Sequence, residues 1–378
     1  MKFTTKCIHG SNKRYDNTGA VSVPIFQSAT FIHPGVEQST GYDYSRLQNP
    51  TREYLEQVVA NLEEGIDAMA FSSGMAAEAT LMELFAPGDH IIASDDLYGG
   101  SIRLFQHISA KNGIEVTLLD TGDLNALKQA IRLETKAVFI ETPTNPMMQV
   151  TDISAVAEIA RQRGILLIVD NTFLTPYLQR PLTLGADIVV HSGTKYLGGH
   201  NDTLAGFLVV ANDELSERLR FIYKTTGACL SPFDSWLIAR GIKTLPIRMR
   251  QQEATSHIIA KWLRDHPKVR TVNYCGFTDH PGYAISRKQS DGFGAMISFE
   301  VDSETTARQV LERIRLIYFA ESLGGVESLM TYPYLQTHAD VPEEHRRAKS
   351  VHERLLRLSV GLEDAEDLIS DLSQALEG

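Results

Sequence analysis

The sequence contains no apolar run long enough to cross a bilayer; its longest, such as Ile165–Val169 and Ala186–Val190, have only the length of strands. Three cysteines, Cys7, Cys229 and Cys275, are scattered, with no Cys-x-x-Cys and no His/Cys ligand spacing. That argues against a disulfide framework and against a metal site, and the thiols read as reduced, buried or half-buried side chains. No cluster of Lys and Arg is large enough to track a phosphate backbone. With 36 basic against 47 acidic side chains the net charge is −11, so nucleic acid is not expected as a partner. Met1–Gly10 has no apolar core of the secretory kind. With no membrane segment indicated either, the chain is expected to be cytoplasmic. A GxGxxG loop and a Walker-type Gly-Lys-Ser/Thr are both missing, which argues against a nicotinamide dehydrogenase and a phosphate-loop enzyme. Internal repeats and low-complexity linkers are absent as well.

What is present has a globular make-up: 378 residues, 43% hydrophobic and 22% charged. That length exceeds one ordinary core and predicts two domains plus a tail. Residues 1–46, rich in Gly, Pro, Ser, Thr and Asn with an extended run at Val21–Phe26, read as an arm. A helix should start near Thr51, a plausible N-cap. Leu55, Val58, Val59 and Leu62 then give it one apolar face, and Gly65 stops it. Across 47–230, strands are expected at His90–Ala93, Glu115–Leu119, Ala137–Glu141, Ile165–Asp170, Asp187–His191 and Gly206–Val210. Helical stretches such as Gly99–Lys111 and Ile153–Arg163 lie between them. Near-continuous apolar strands alternating with helices predict an α/β domain with a mainly parallel sheet covered on both faces. Across 231–378 the pattern becomes α+β and predicts a smaller domain. A long helix is expected within Ser231–His266, strands at Val269–Tyr274, Ala295–Val301, Ile317–Ser322 and Leu355–Val360, and helices at Ser303–Ile314 and Ala365–Leu376.

Ligands of such sheets bind beyond the carboxyl ends of the strands. There the sequence places Asp170-Asn171-Thr172, then Ser192-Gly193-Thr194-Lys195-Tyr196, and Glu141-Thr142-Pro143-Thr144-Asn145-Pro146. Taken singly, Lys195 reads as a surface lysine, Asp170 as a helix cap and Tyr98 as a core or rim residue. Together they fit pyridoxal phosphate. A partly desolvated lysine can react with the cofactor aldehyde, and a buried carboxylate at Asp170 would keep the pyridine nitrogen protonated. Ser192 and Thr194 could donate hydroxyls to the phosphate, and the helix start at Ser72-Ser73-Gly74-Met75 offers free backbone N–H groups. Tyr98 is suited to stack on the ring. The residues by themselves leave the capping and surface readings standing beside this one.

The motifs go further. Val23–Phe31, Tyr44–Thr51, Ser73–Ala77, Asp96–Gly100, Glu141–Pro146, Val169–Phe173, Thr194–His200, Ala320–Gly325 and Leu356–Gly361 occur in this order over essentially the full chain. In them the sequence resembles the Cys/Met-metabolism, or transsulfuration, family of pyridoxal-phosphate enzymes. The resemblance implies an aspartate-aminotransferase-like fold (fold-type I) with pyridoxal 5′-phosphate as cofactor. It implies that Lys195 carries the aldehyde and shuttles a proton, that Asp170 pairs with the pyridine nitrogen, and that Tyr98 stacks and assists proton transfer. It further implies phosphate binding by Gly74, Met75, Ser192 and Thr194, and by Tyr44 and Arg46 of a neighbouring subunit. Arg357 is the expected clamp for a substrate carboxylate, with Asn145, Glu321 and Ser322 lining the same site. A homo-oligomer follows, a dimer with shared active sites assembled into a tetramer, acting on a small amino acid. Gly193 departs from the Ala more usual before the Thr-Lys pair.

Within the family the sequence favours a carbon–sulfur lyase of the cystathionine β-lyase type, giving homocysteine, pyruvate and ammonia. Thr331-Tyr332-Pro333 and Gln336–Asp340 resemble lyases of the Gram-positive type, and Gly100 stands where methionine γ-lyases carry Cys. Glu321 points the other way, since γ-synthases and γ-lyases carry Glu there, so cystathionine γ-synthase or γ-lyase is the alternative. A catalytically silent relative serving in assembly is a different class of reading, opposed by intact Lys195, Asp170, Tyr98 and Arg357.

Overall fold

Short apolar runs, most of them buried on both faces, make the central sheet of this computed structural model, which describes residues 1–11, 18–339, 341 and 343–377. Its seven strands are β1 (Asp67–Phe71), β2 (His90–Ser94), β3 (Glu115–Leu119), β4 (Thr135–Glu141), β5 (Leu166–Asp170), β6 (Ile188–Ser192) and β7 (Gly206–Val210). They lie in the order β1-β7-β6-β5-β4-β2-β3. The pairs from β3 through to β6 are parallel, and β7 is antiparallel to both β6 and β1. This is the expected mainly parallel sheet, with a strand added at β1. That strand was not expected from the sequence, because Asp67–Phe71 follows a helix closely and has no β-branched residue. The register pairs Glu141 with Asp170, so two carboxyls stand side by side at the carboxyl end of neighbouring strands.

A second sheet contains β8 (Val269–Asn273), β9 (Met296–Val301), β10 (Tyr318–Phe319), β11 (Leu329–Thr331) and β12 (Leu355–Ser359), in the order β10-β11-β12-β9-β8. All five residues of β12 are buried, so the alternation of Arg357 and Ser359 against Leu356 and Leu358 separates two covered faces rather than a core from solvent. Leu356 and Leu358 join the apolar core of this sheet.

The first four helices of the chain are α1 (Phe3–His9), α2 (Pro50–Glu63), α3 (Gly74–Met82) and α4 (Gly99–Arg103). The N-cap of α2 is Asn49, whose side chain accepts from Thr51 and Arg52, with Pro50 at the first helical position. Thr51, expected as the cap, instead accepts from the Phe26 amide and donates to the Pro24 carbonyl, pinning the arm to the helix start. Among the described residues the run Val21–Phe26 pairs with no strand. The helix expected within Ser231–His266 is two, Pro232–Ile242 and Leu245–Asp265. The break fits Gly241, whose added Cβ would overlap Gly198, and Pro246 in the first turn of the second helix. That second helix joins both cores: Leu245 and Met249 pack with α2, and Ile259, Ala260 and Leu263 pack on the smaller sheet. The stretch Gly99–Lys111 is helical but widens to a π-turn at Leu104–Ser109. The strand expected at Ile317–Ser322 shortens to β10, because Ser322 has φ +99° and leaves the sheet. Among the described residues, no helix is long and apolar enough to cross a membrane.

Candidate active site

The strand ends and the smaller sheet enclose a cavity of about 300 Å³. Lys195 follows β6 in a tight turn, where its N–H donates to the Ser192 carbonyl and its carbonyl accepts from Gly199. Its Nζ donates to Ser322 Oγ at 2.8 Å. Burial and, next, the Arg357 guanidinium bring the ammonium down to about 8, with Glu321 opposing. A fraction of this amine is therefore free at neutral pH, as a nucleophile requires.

Asp170 ends β5 and accepts the Thr172 amide at 2.9 Å. Burial raises its carboxyl, while the Thr172 bonds and His191 pull it down. Glu141, next to it at the end of β4, accepts the Tyr98 amide at 3.1 Å and is pushed well up by burial and then by Asp170. Tyr98 is the residue ahead of α4, and burial raises its phenol, so it keeps its proton at neutral pH.

At the other edge, Gly74 opens α3 with Ser73 as its cap, and the first-turn N–H groups have no acceptor within the helix. A Cβ on Gly74 would stand 3.1 Å from Ser192 Cβ, a tight contact that glycine avoids where that turn comes close to β6. The Thr194 hydroxyl is engaged with both backbone groups of Ala205, so its tie to the loop before β7 accompanies whatever it does in the cavity. Gly193, the departure from the family pattern, has a local reason: a Cβ there would overlap Phe207 of β7.

Arg357, 1% exposed, reaches the cavity from β12. It donates to Asn145 Oδ1 at 2.7 Å, the Ser322 carbonyl at 3.0 Å and Thr331 Oγ1 at 3.1 Å. Its Nε is buried and has no partner among the described residues. Asn145 is held by its loop: Asp96 accepts from Thr144 Oγ1 and from the Met147 amide, and the Pro146 carbonyl accepts from Ser298 of β9. Ser322 and Glu321 line the same cavity, with Glu321 exposed at its edge.

Of the residues expected from sequence, Gly74, Met75, Tyr98, Asn145, Asp170, Ser192, Thr194, Lys195, Glu321, Ser322 and Arg357 all line this one cavity. Tyr44 and Arg46 do not. Both are exposed; Arg46 stacks over Tyr44 and donates to the Lys224 carbonyl at 2.5 Å. Of the expected Gln336–Asp340 segment, Asp340 lies outside the described residues, whereas Thr337 lines the cavity and its carbonyl presses on Gly99. Sequence reasoning missed Glu78, which also lines the cavity. The signal was its place one turn after Gly74, on the same helix face.

These residues fit pyridoxal phosphate. A half-buried amine near neutrality, a half-buried acid for a ring nitrogen, and a helix start opened by glycine for a phosphate are the donor set it needs. No group of acidic, His and Cys side chains that could hold a metal occurs among the described residues. Comparison with known proteins agrees. The family described as Cys/Met metabolism PLP-dependent enzyme matches residues 4–377. The chain is 50% identical over 377 residues to the cystathionine gamma-lyase of Bacillus subtilis (strain 168), covering 100% of both chains. It is 48% identical over 373 residues to the cystathionine beta-lyase of Lactococcus lactis subsp. cremoris (strain MG1363), covering 99% of this chain and 98% of that one. The crystal structure of cystathionine gamma-lyase from Lactobacillus plantarum complexed with L-serine superposes with a TM-score of 0.98 at 43% identity, over 100% of this chain and 99% of that one. The chain therefore belongs to the Cys/Met metabolism family of PLP-dependent enzymes and is a transsulfuration enzyme.

Proposed function

We propose that the protein is a carbon–sulfur lyase acting on cystathionine by β-elimination. The observation that carries this is the pairing of one near-neutral amine, Lys195, held by Ser322 at 2.8 Å, with one protonated phenol, Tyr98, in a cavity that also contains Asp170 and Arg357. Pyridoxal phosphate, when bound, supplies an aldehyde that captures amines and a ring that accepts the electron pair left at the substrate Cα. Asp170 holds the ring nitrogen, Gly74, Met75, Ser192 and Thr194 hold the phosphate, and Tyr98 covers the ring. Arg357 binds the substrate carboxylate through the face that includes its unpartnered Nε, and Asn145 fixes the guanidinium plane.

Lys195 Nζ takes the Cα proton. The Cβ–S bond breaks with its electron pair on sulfur, and the Tyr98 hydroxyl gives that sulfur a proton. Homocysteine leaves, and the three-carbon remainder leaves as pyruvate and ammonia with one water consumed. One base and one acid complete that sequence. A second reading, γ-elimination or γ-replacement, needs another proton taken from Cβ, and Glu321 at the cavity edge is the feature that favours it. Purified enzyme given cystathionine should release pyruvate; 2-oxobutyrate in its place would overturn the β course and support the second reading.

Tyr44 and Arg46 are assigned to the phosphate of a neighbouring subunit, in a dimer with shared sites that pairs into a tetramer. Support comes from the cations of the cavity, since Lys195 and Arg357 are both engaged with Ser322, leaving the phosphate to another positive group. The arm also leaves Val21, Ile32 and Val36 more than nine-tenths exposed, an apolar surface suited to a second copy. The free thiols Cys7, Cys229 and Cys275, buried or half-buried, suit a cytoplasmic protein.

A further inference from the structure

Glu78 carries a carboxyl that none of these roles uses. It lies one turn beyond Gly74 on α3 and lines the cavity together with Met75, Tyr98 and Asp170. Its Oε1 accepts from Ser101 Oγ of α4 at 3.0 Å. Its Oε2 is sealed from water and has no hydrogen-bond partner among the described residues. A tie between α3 and α4 would need only Oε1, so it does not account for the second buried oxygen. Buried polar atoms without a partner are rare and call for one.

The charges around it are Asp170 of β5, Glu141 of β4 and the Tyr98 phenol ahead of α4, with Lys195, Glu321 and Arg357 on the remaining walls. Three carboxyls gathered at one end of the cavity do not all ionise, because each charge disfavours the next. Burial and then Asp170 lift Glu78 to about 8, with the Ser101 bond opposing, and Glu141 rises for the same reasons.

We propose that Glu78 is a positioning residue acting through Asp170: its carboxyl, lining the cavity beside Asp170, completes the acidic end that receives the cationic ring nitrogen of pyridoxal phosphate. The inference rests on Asp170 meeting that nitrogen. In the free protein Glu78 keeps its proton at neutral pH. A cation arriving beside Asp170 stabilises the ionised form, so the grip of this end on the ring strengthens as pH rises through the titration of Glu78.

The test uses apo protein titrated with pyridoxal phosphate, followed by visible absorbance, for wild type, Glu78→Gln and Asp170→Asn. Asp170→Asn should bind more weakly at every pH. Glu78→Gln should differ least from wild type near about pH 6 and fall behind by about tenfold near about pH 9, one pKa unit of coupling. Melting of the apo proteins gives an independent reading. The folded state holds the Glu78 proton more tightly than the unfolded chain, so wild-type stability falls as pH rises from the ordinary carboxyl range to about 8. Glu78→Gln should lack that part of the fall. Should it fail to fold, Ser101→Ala removes the bond that lowers Glu78 and should move the same window to higher pH. A wild-type-to-Glu78→Gln affinity ratio constant with pH, with Asp170→Asn weakened, would leave Glu78 a structural tie and overturn the proposal. Asp170→Asn binding like wild type would remove its foundation, the placement of the ring.

Discussion

Arg357 donates to Asn145 Oδ1 at 2.7 Å, joining β12 of the smaller sheet to the loop that ends β4 of the larger one. The contact spans the cavity and aims a buried guanidinium whose Nε is still unpartnered. Arg357→Lys keeps the charge but loses the planar fork. Steady-state kinetics should show kcat/KM lowered for every amino-acid substrate by about 2–4 kcal/mol, the cost of removing one side of a buried charged pair. Cofactor absorbance should stay as in the parent. Unchanged substrate affinity with a lower melting temperature would make Arg357 structural.

Lys195→Ala should abolish turnover, because among the described residues no other lysine lines the cavity to carry the aldehyde and move the Cα proton. The variant should still take up pyridoxal phosphate through Asp170, Gly74 and Ser192, measured as cofactor retained on gel filtration. Turnover at the wild-type rate would remove Lys195 from the chemistry.

The Lys195 amine, brought to about 8 by burial and by Arg357, sets a pH dependence. Below that value the ammonium cannot attack, so the rate at which apo protein captures pyridoxal phosphate should climb with pH and level off above about 8. Arg357→Gln removes a neighbouring positive charge, so the midpoint should move up. A stopped-flow pH profile checks both the midpoint and the direction of that move.

Gly100 faces the Tyr98 ring, and a Cβ built on it would overlap the ring and stand 3.0 Å from Met75 Sδ. Gly100→Ala should displace the ring and lower kcat on the order of 10²-fold, the scale of an ångström-sized misplacement. A near-normal melting temperature would show that the loss lies in the site. Parental kcat would mean that Tyr98 is free to settle elsewhere.

Arg46→Ala and Lys195→Ala proteins, each inactive, should regain activity when unfolded together and refolded as a mixture, since one site per heterodimer would then be intact. Heterodimers formed without any recovery would count against an arm that serves the neighbouring subunit.

The sequence by itself determined the parts of this protein that depend on neighbours along the chain. Runs such as Leu166–Asp170 and Ile188–Ser192 can be covered only as inner parallel strands, and their last residues must then emerge at one edge. That made Asp170 and Lys195 legible together, and ordered motifs extended the reading to Arg357. Thr51 shows the limit of such local reasoning. It has the chemistry of a cap, yet Asn49 caps α2 because the arm's Pro24 and Phe26 claim the Thr51 hydroxyl. Gly193 is similar, since only the antiparallel pairing of β7 with β6 brings Phe207 against it. Tertiary structure alone decided which groups share the cavity. Glu141 and Asp170 become neighbours through strand register, and Glu78 joins them because α3 packs above β6. Whether a carboxyl there holds its proton depends on water excluded and charges gathered from distant segments, and no local pattern in the chain encodes that sum.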